Sequence, residues 1–198
     1  MSEIAFPDFF EDPSEFSLRT MVNQLANASP YGGSEQVIDK RNERWLATVS
    51  VSPRTHDEAA ELEAWVASMR GMTNWIQLYH LQRPEPRGTM RGAPTVQATA
   101  AGAGTVRINT TAGSTLLAGD MIGVSGLLLQ IQQPCTADGT GLLVAPIVNR
   151  LRRALAGGTA VVWNRPTALF RFRVAPEAIS YVPGYTPEAT FDFMEYVA

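Results

Sequence analysis

The stretch RWLATVSV (44–51) alternates, with Trp45, Ala47, Val49 and Val51 on one side and Leu46, Thr48 and Ser50 on the other. A period of two marks a strand with one buried face. Past Pro53 the period lengthens, and Leu62, Trp65, Val66 and Met69 recur at three- and four-residue spacing along one helical face. Thr55 followed three residues later by Glu58 forms a capping box, Asp57 and Glu58 suit the positive end of the helix dipole, and Gly71 after Arg70 suits a left-handed cap. The pattern predicts a helix over 56–70. TNWIQLYHL (73–81) alternates again, and RPEPRGTMRGAP (83–94) interrupts everything with three prolines and two glycines.

From 95 onward the composition shifts to small residues, and short strands are predicted at 96–100, 105–110, 119–124, 127–134, 141–146 and 160–164. Ser125-Gly126 reads as a tight hairpin turn, Ala137-Asp138-Gly139 as another, and 150–155 as a turn. Short strands at this spacing suggest a small barrel. TALFRFRV (167–174) and ATFDFMEYV (189–197) then return to the aromatic alternation of the first segment, separated by a proline-rich loop. The expected fold is mainly β. A β-sandwich domain with one amphipathic helix is built from residues 1–92 plus 165–198, and a small β-barrel domain, 93–164, is inserted in it.

Of the 198 residues, 45% are apolar, enough for a substantial core. The single cysteine, Cys135, cannot form an internal disulfide, which points to a reducing cytoplasm. The acidic stretch MSEIAFPDFFEDPSEF lacks the pattern of a secretory leader, and no apolar run approaches the roughly 20 residues of a membrane span. Charge is segregated: residues 1–70 carry −6, residues 71–176 carry +7 and residues 177–198 carry −4. Acidic ends and a basic middle suit head-to-tail contacts between copies. All positive charge except Lys40 is arginine, which favours bidentate pairing with carboxylates, so nucleic acid is not an expected partner.

The stretch RTHDEAAEL (54–62) gathers a histidine, an aspartate and two glutamates, but His56 falls at the first helical position and no HExxH spacing is present. A site of two histidines and a carboxylate would need His80 from the following strand. GAGT (102–105) does not open a helix as a dinucleotide loop does, and Ser125 lacks the surroundings of a nucleophile elbow. Cys135 has no helix N-terminus to activate it. Asp120 and Asp138, the acids of the barrel segment, both fall at turns, which argues against a carboxylate pair there. No catalytic residue, metal site or cofactor is therefore expected. Trp163 and the aromatics of 181–185 could stack on a sugar. The densest basic spot is NRLRRAL, with Arg150, Arg152 and Arg153.

The order of pieces resembles the distal tail protein of long-tailed bacteriophages. A strand, RWLATVSVSP, leads to a helix ending in Met69-Arg70-Gly71; the strand NWIQLYHL then feeds a turn at Pro86-Arg87-Gly88, and the barrel-like block and terminal strands follow. The resemblance implies a mechanical function: a ring, a hexamer by analogy, that joins the tail tube to the baseplate or host-recognition apparatus. It implies tail tube protein and tail-tip hub proteins as partners, and a place in the virion tail after assembly in the host cytoplasm. In such a ring Arg83, Arg87 and Arg91 on the 83–92 arm, with Arg150, Arg152 and Arg153, are candidate interface residues. The alternative reading is a carbohydrate-binding module for attachment to a host-surface glycan.

Overall fold

The computed structural model describes the chain except residues 1, 6, 8–11, 29–31, 34, 41, 53–54, 180, 182–187 and 198. The fold is mainly β. The N-terminal third holds β1 (Glu15–Met21), β2 (Gln24–Ala28), β3 (Glu35–Asp39), β4 (Arg44–Val51), α1 (His56–Ser68) and β5 (Ile76–Leu78). The middle holds β6 (Thr95–Val96), β7 (Thr105–Asn109), β8 (Thr115–Leu116), β9 (Met121–Val124), β10 (Leu127–Gln130), β11 (Cys135–Thr136), β12 (Leu142–Pro146) and β13 (Val161–Val162). Two long strands close the chain, β14 (Ala168–Phe172) and β15 (Ala189–Glu195).

One antiparallel sheet has the order β1-β4-β15-β14-β5, so terminal strands lie between elements of the first third. Its alternation puts Trp45, Val49, Phe170, Phe172, Phe191 and Phe193 on one face, all buried. Helix α1 covers that face with Leu62 and Trp65, joined by Met69 at its C-cap, and the Trp65 ring meets Phe172, Phe191 and Phe193 edge-on. The cap forms as expected, with the Glu58 amide donating to Thr55 Oγ1 at 3.1 Å. The helix ends at Ser68 rather than 70, because Arg70 and Gly71 both adopt left-handed backbone (φ 48° and 63°) that a right-handed helix cannot continue.

A second hydrophobic cluster runs from Met90 to Val161 and is built from β6 to β13, with Val106, Ile108, Ile122, Leu129 and Leu143 at its centre. It consists of three small sheets, β10-β9-β13, β12-β7-β6 and β11-β8. The predicted turn between β9 and β10 is a tight one with positive φ at both Ser125 (53°) and Gly126 (76°). The two clusters touch: Met121 and Leu128 reach into the first, and Trp45 Nε1 donates to the Leu128 carbonyl at 2.8 Å.

Several boundaries differ from expectation. The strand expected over 73–81 is ordered as a ladder only at Ile76–Leu78, which leaves His80 beyond its end, and the one expected over 160–164 forms a ladder only at Val161 and Val162, with Ala160 bridged singly to Thr95. Strands β1, β2 and β3 were not anticipated. The last two form a ribbon that continues the β1–β4 pair, with a change of register between Met21↔Arg44 and Gln24↔Asp39.

Candidate interface

The 83–92 segment is held down by one carboxylate. Asp120, at the turn before β9, is 3% exposed and accepts the backbone amides of Arg87 (3.0 Å), Gly88 (3.1 Å) and Leu117 (2.8 Å). Arg87 Nε lies 3.5 Å from the same carboxylate and Arg87 Nη2 donates to the Ala118 carbonyl. Gly88 has no alternative here, since a Cβ would come within 2.1 Å of the Thr115 carbonyl oxygen. The Pro-Arg-Gly turn singled out in the sequence is thus the piece that locks the first third of the chain to the β8–β9 turn.

The other arginines of this segment are also engaged within the chain. Arg83 donates to His80 Nε2 and to the Gly119 carbonyl (3.0 Å). Arg91 donates to the Pro86, Gly88 and Met90 carbonyls, pairs with Glu85 at 3.5 Å and lies over the Trp163 ring. Rather than reaching out as a free arm, 83–92 is folded onto the β6–β13 body.

The second basic group is divided among three tasks. Arg152 pairs with Glu195, the two side chains being 18% and 2% exposed, and its Nε donates to the Glu43 carbonyl at 3.1 Å. Glu195 also accepts the Trp45 amide at 3.0 Å. This pair ties the loop after β12 to the central sheet. Arg150 meets Asp39 at 3.4 Å, at the foot of the β2–β3 ribbon, and Arg153 reaches Ser125 Oγ at 3.4 Å. Cavities of about 440 and 430 Å³ flank the Arg152–Glu195 pair.

The residues weighed for chemistry are dispersed. His56 opens α1, and Arg54 lies outside the described residues. His80 is buried against Phe16, and burial, helped by the Arg83 charge, lowers its pKa to about 4. Cys135 is half-buried and burial raises its thiol pKa. Asp138 organises its own turn by accepting from Thr140 and Leu142, bonds that hold its carboxyl below the usual range. Among the described residues no group of three or more His, Cys, Asp or Glu side chains could hold a metal ion, and no helix is long and apolar enough to cross a membrane. Trp163 gives Nε1 to the Gly92 carbonyl and one face to Arg91. Of the 181–185 aromatics only Tyr181 is described, and its hydroxyl donates to Glu63 at 2.9 Å.

His80 provides a pH test of this packing. Its folded pKa of about 4 lies below the ordinary 6.5, so the unfolded chain binds the extra proton between those values. The stabilisation is complete above pH 6.5 and is lost as pH falls through about 4. Urea melts of the wild type and His80→Gln should diverge over this window, the wild type losing at most about 3 kcal/mol more than the variant. Parallel curves would show that the imidazole is not held neutral.

Surface that sequence reading did not single out is the most suggestive. All ten residues of β2 and β3 are exposed, including Leu25, Val37 and Ile38, and both faces of the ribbon are open. The signal was present in faint form, as apolar residues in QLANA and EQVID that belong to no periodic face. In comparisons with known proteins, no family model and no curated protein matches the chain.

Proposed function

We propose that this chain is a structural subunit of the tail tip of a long-tailed phage, of the distal tail protein kind, whose copies close into a ring between the tail tube and the baseplate or host-recognition apparatus. The observation that carries the reading is the β2–β3 ribbon. A two-stranded ribbon with neither face covered is marginal in water, and this one leaves the body by five residue pairs, about 17 Å. Such an element makes sense in a subunit that completes itself on a neighbour. The Met69-Arg70-Gly71 and Pro86-Arg87-Gly88 steps support the same reading, since each holds a corner that the order of elements depends on. Its work would be mechanical, without catalysis or cofactor, and its place the virion tail after assembly in the host cytoplasm. Tail tube protein and tail-tip hub proteins would be its neighbours.

Light scattering behind a sizing column tests this. The expected result is a discrete oligomer, a hexamer by analogy, which loses mass as salt rises because charge segregation contributes to the contacts. A monomer up to high protein concentration, at low and high salt alike, overturns self-assembly. The alternative of glycan binding rests on a polar cavity of about 330 Å³ lined by Arg91, Thr95, Asn109 and Thr111. Glycan-array binding by a monomer would favour it.

A further inference from the structure

His80 sits where the central sheet meets the β6–β13 body, and its hydrogen bonds fix which of its nitrogens carries the proton. Arg83 Nε and Nη2 lie 3.2 and 2.9 Å from His80 Nε2. A guanidinium only donates, so Nε2 accepts from both and the single ring proton is on Nδ1. Nδ1 is buried without a hydrogen-bond partner among the described residues, so the ring's polar contacts all serve Arg83. Gripped through two of its nitrogens, Arg83 directs the third, Nη1, at the Gly119 carbonyl, 3.0 Å away on the turn before β9. The Arg83 amide donates to the His80 carbonyl at 2.9 Å, and this tight turn is what brings the two side chains together.

Protonation removes the acceptor. An imidazolium donates from both nitrogens, so beside Arg83 it leaves two cations facing each other with no lone pair between them. From β1 the neighbour is the uncharged Phe16 ring, with centroids 5.1 Å apart. The turn before β9 brings the Gly119 carbonyl and the Asp120 carboxylate, which is committed to the amides of Arg87, Gly88 and Leu117. The 83–92 segment brings Arg83 and, beside Asp120, Arg87. Among the described residues no acid is bonded to the ring to offset a positive charge on it.

We infer that His80 is an acid-sensitive latch between the central sheet and the β6–β13 body. Neutral, it holds Arg83 across to the Gly119 carbonyl; protonated, it releases Arg83, and the 80–83 turn comes away from the turn before β9. The latch belongs to a single copy and does not rest on self-assembly. Burial, and after it the Arg83 charge, put the enclosed ring's pKa at about 4, whereas a ring open to water has the ordinary 6.5. The closed contact is therefore fully favoured above pH 6.5 and is lost as pH falls through about 4, where opening is up to about 300-fold easier than at neutrality. The Asp120 clamp, the Trp45–Leu128 bond and the Arg152–Glu195 pair use no histidine, so the two bodies stay joined while this contact opens.

Two NMR measurements on the full chain test this. At pH 7, long-range proton–nitrogen spectra should show the His80 ring with its proton on Nδ1 and a bare Nε2. Exchange of the Arg83 amide, corrected for the intrinsic pH dependence of exchange, should give an opening constant that rises by more than about tenfold between pH 7 and pH 4 and follows the His80 ring titration. In His80→Gln, which keeps a side-chain acceptor and does not titrate, the rise should be less than about threefold. A ring protonated on Nε2 at pH 7, a ring that titrates near its ordinary value, or the same pH dependence of opening in both chains overturns the latch. If the variant does not fold, the wild type decides alone: an Arg83 opening that shares the ring's midpoint supports the latch, and one that follows the Asp120 carboxylate instead overturns it.

Discussion

Asp120→Ala should cost about 3 to 5 kcal/mol of stability, because it removes the shared acceptor of three backbone amides in a place water does not reach. A buried donor left without its partner costs about 1 to 3 kcal/mol, and three amides converge on this one side chain, which is 3% exposed. The loss is not simply three times the unit value, since the 86–88 turn would loosen and admit water to some of them. Asp120→Asn should fall between, as its amide oxygen can still accept from one or two of the amides. Asp138 is the control: it too accepts from several groups at a turn, but it is exposed, and Asp138→Ala should change stability far less than Asp120→Ala. Urea unfolding of the three variants measures all of this. Equal losses for Asp120→Ala and Asp138→Ala would mean that the carboxylate clamp is not what holds the Pro-Arg-Gly turn.

That contrast shows what a sequence can and cannot convey. Both aspartates read as turn residues, and both are; nothing local says that Asp120 is met by Arg87 and Gly88, more than thirty positions upstream. The elements best anticipated are those whose faces differ in burial. β7, β12, β14 and β15 alternate because one face of each is packed, and α1 announces itself through Thr55, Glu58 and the row from Leu62 to Met69. β1 also alternates, with Phe16 and Leu18 turned inward, and this signal in EFSLRTM was legible but overlooked. β2 and β3 were not legible in the same way. With both faces exposed they have no reason to alternate. The arginines show the converse difficulty. Density of charge at 150–153 suggested an outward patch, but the side chain of Arg152 is mostly enclosed and committed to Glu195, 43 positions away.

Removing one half of that pair gives the second large effect. Glu195→Ala should destabilise the fold by about 3 to 5 kcal/mol, because it leaves a mostly buried guanidinium without its counter-charge and the Trp45 amide without its acceptor. Arg152→Ala removes the other half and strands a carboxylate that is only 2% exposed, although the Trp45 amide still partly satisfies it; a somewhat smaller loss, about 2 to 4 kcal/mol, is expected. Most of each penalty is the cost of isolating the remaining charge, so the two should not add. The Arg152→Met/Glu195→Gln double variant keeps an acceptor for the Trp45 amide, fills the space of the arginine stem and leaves no buried charge, and it should recover a large part of either single loss. A double variant as damaged as the sum of the singles would mean that the two side chains act independently, Arg152 through its bond to the Glu43 carbonyl and Glu195 through Trp45. The expected coupling would instead make the pair the joint between the loop after β12 and the central sheet.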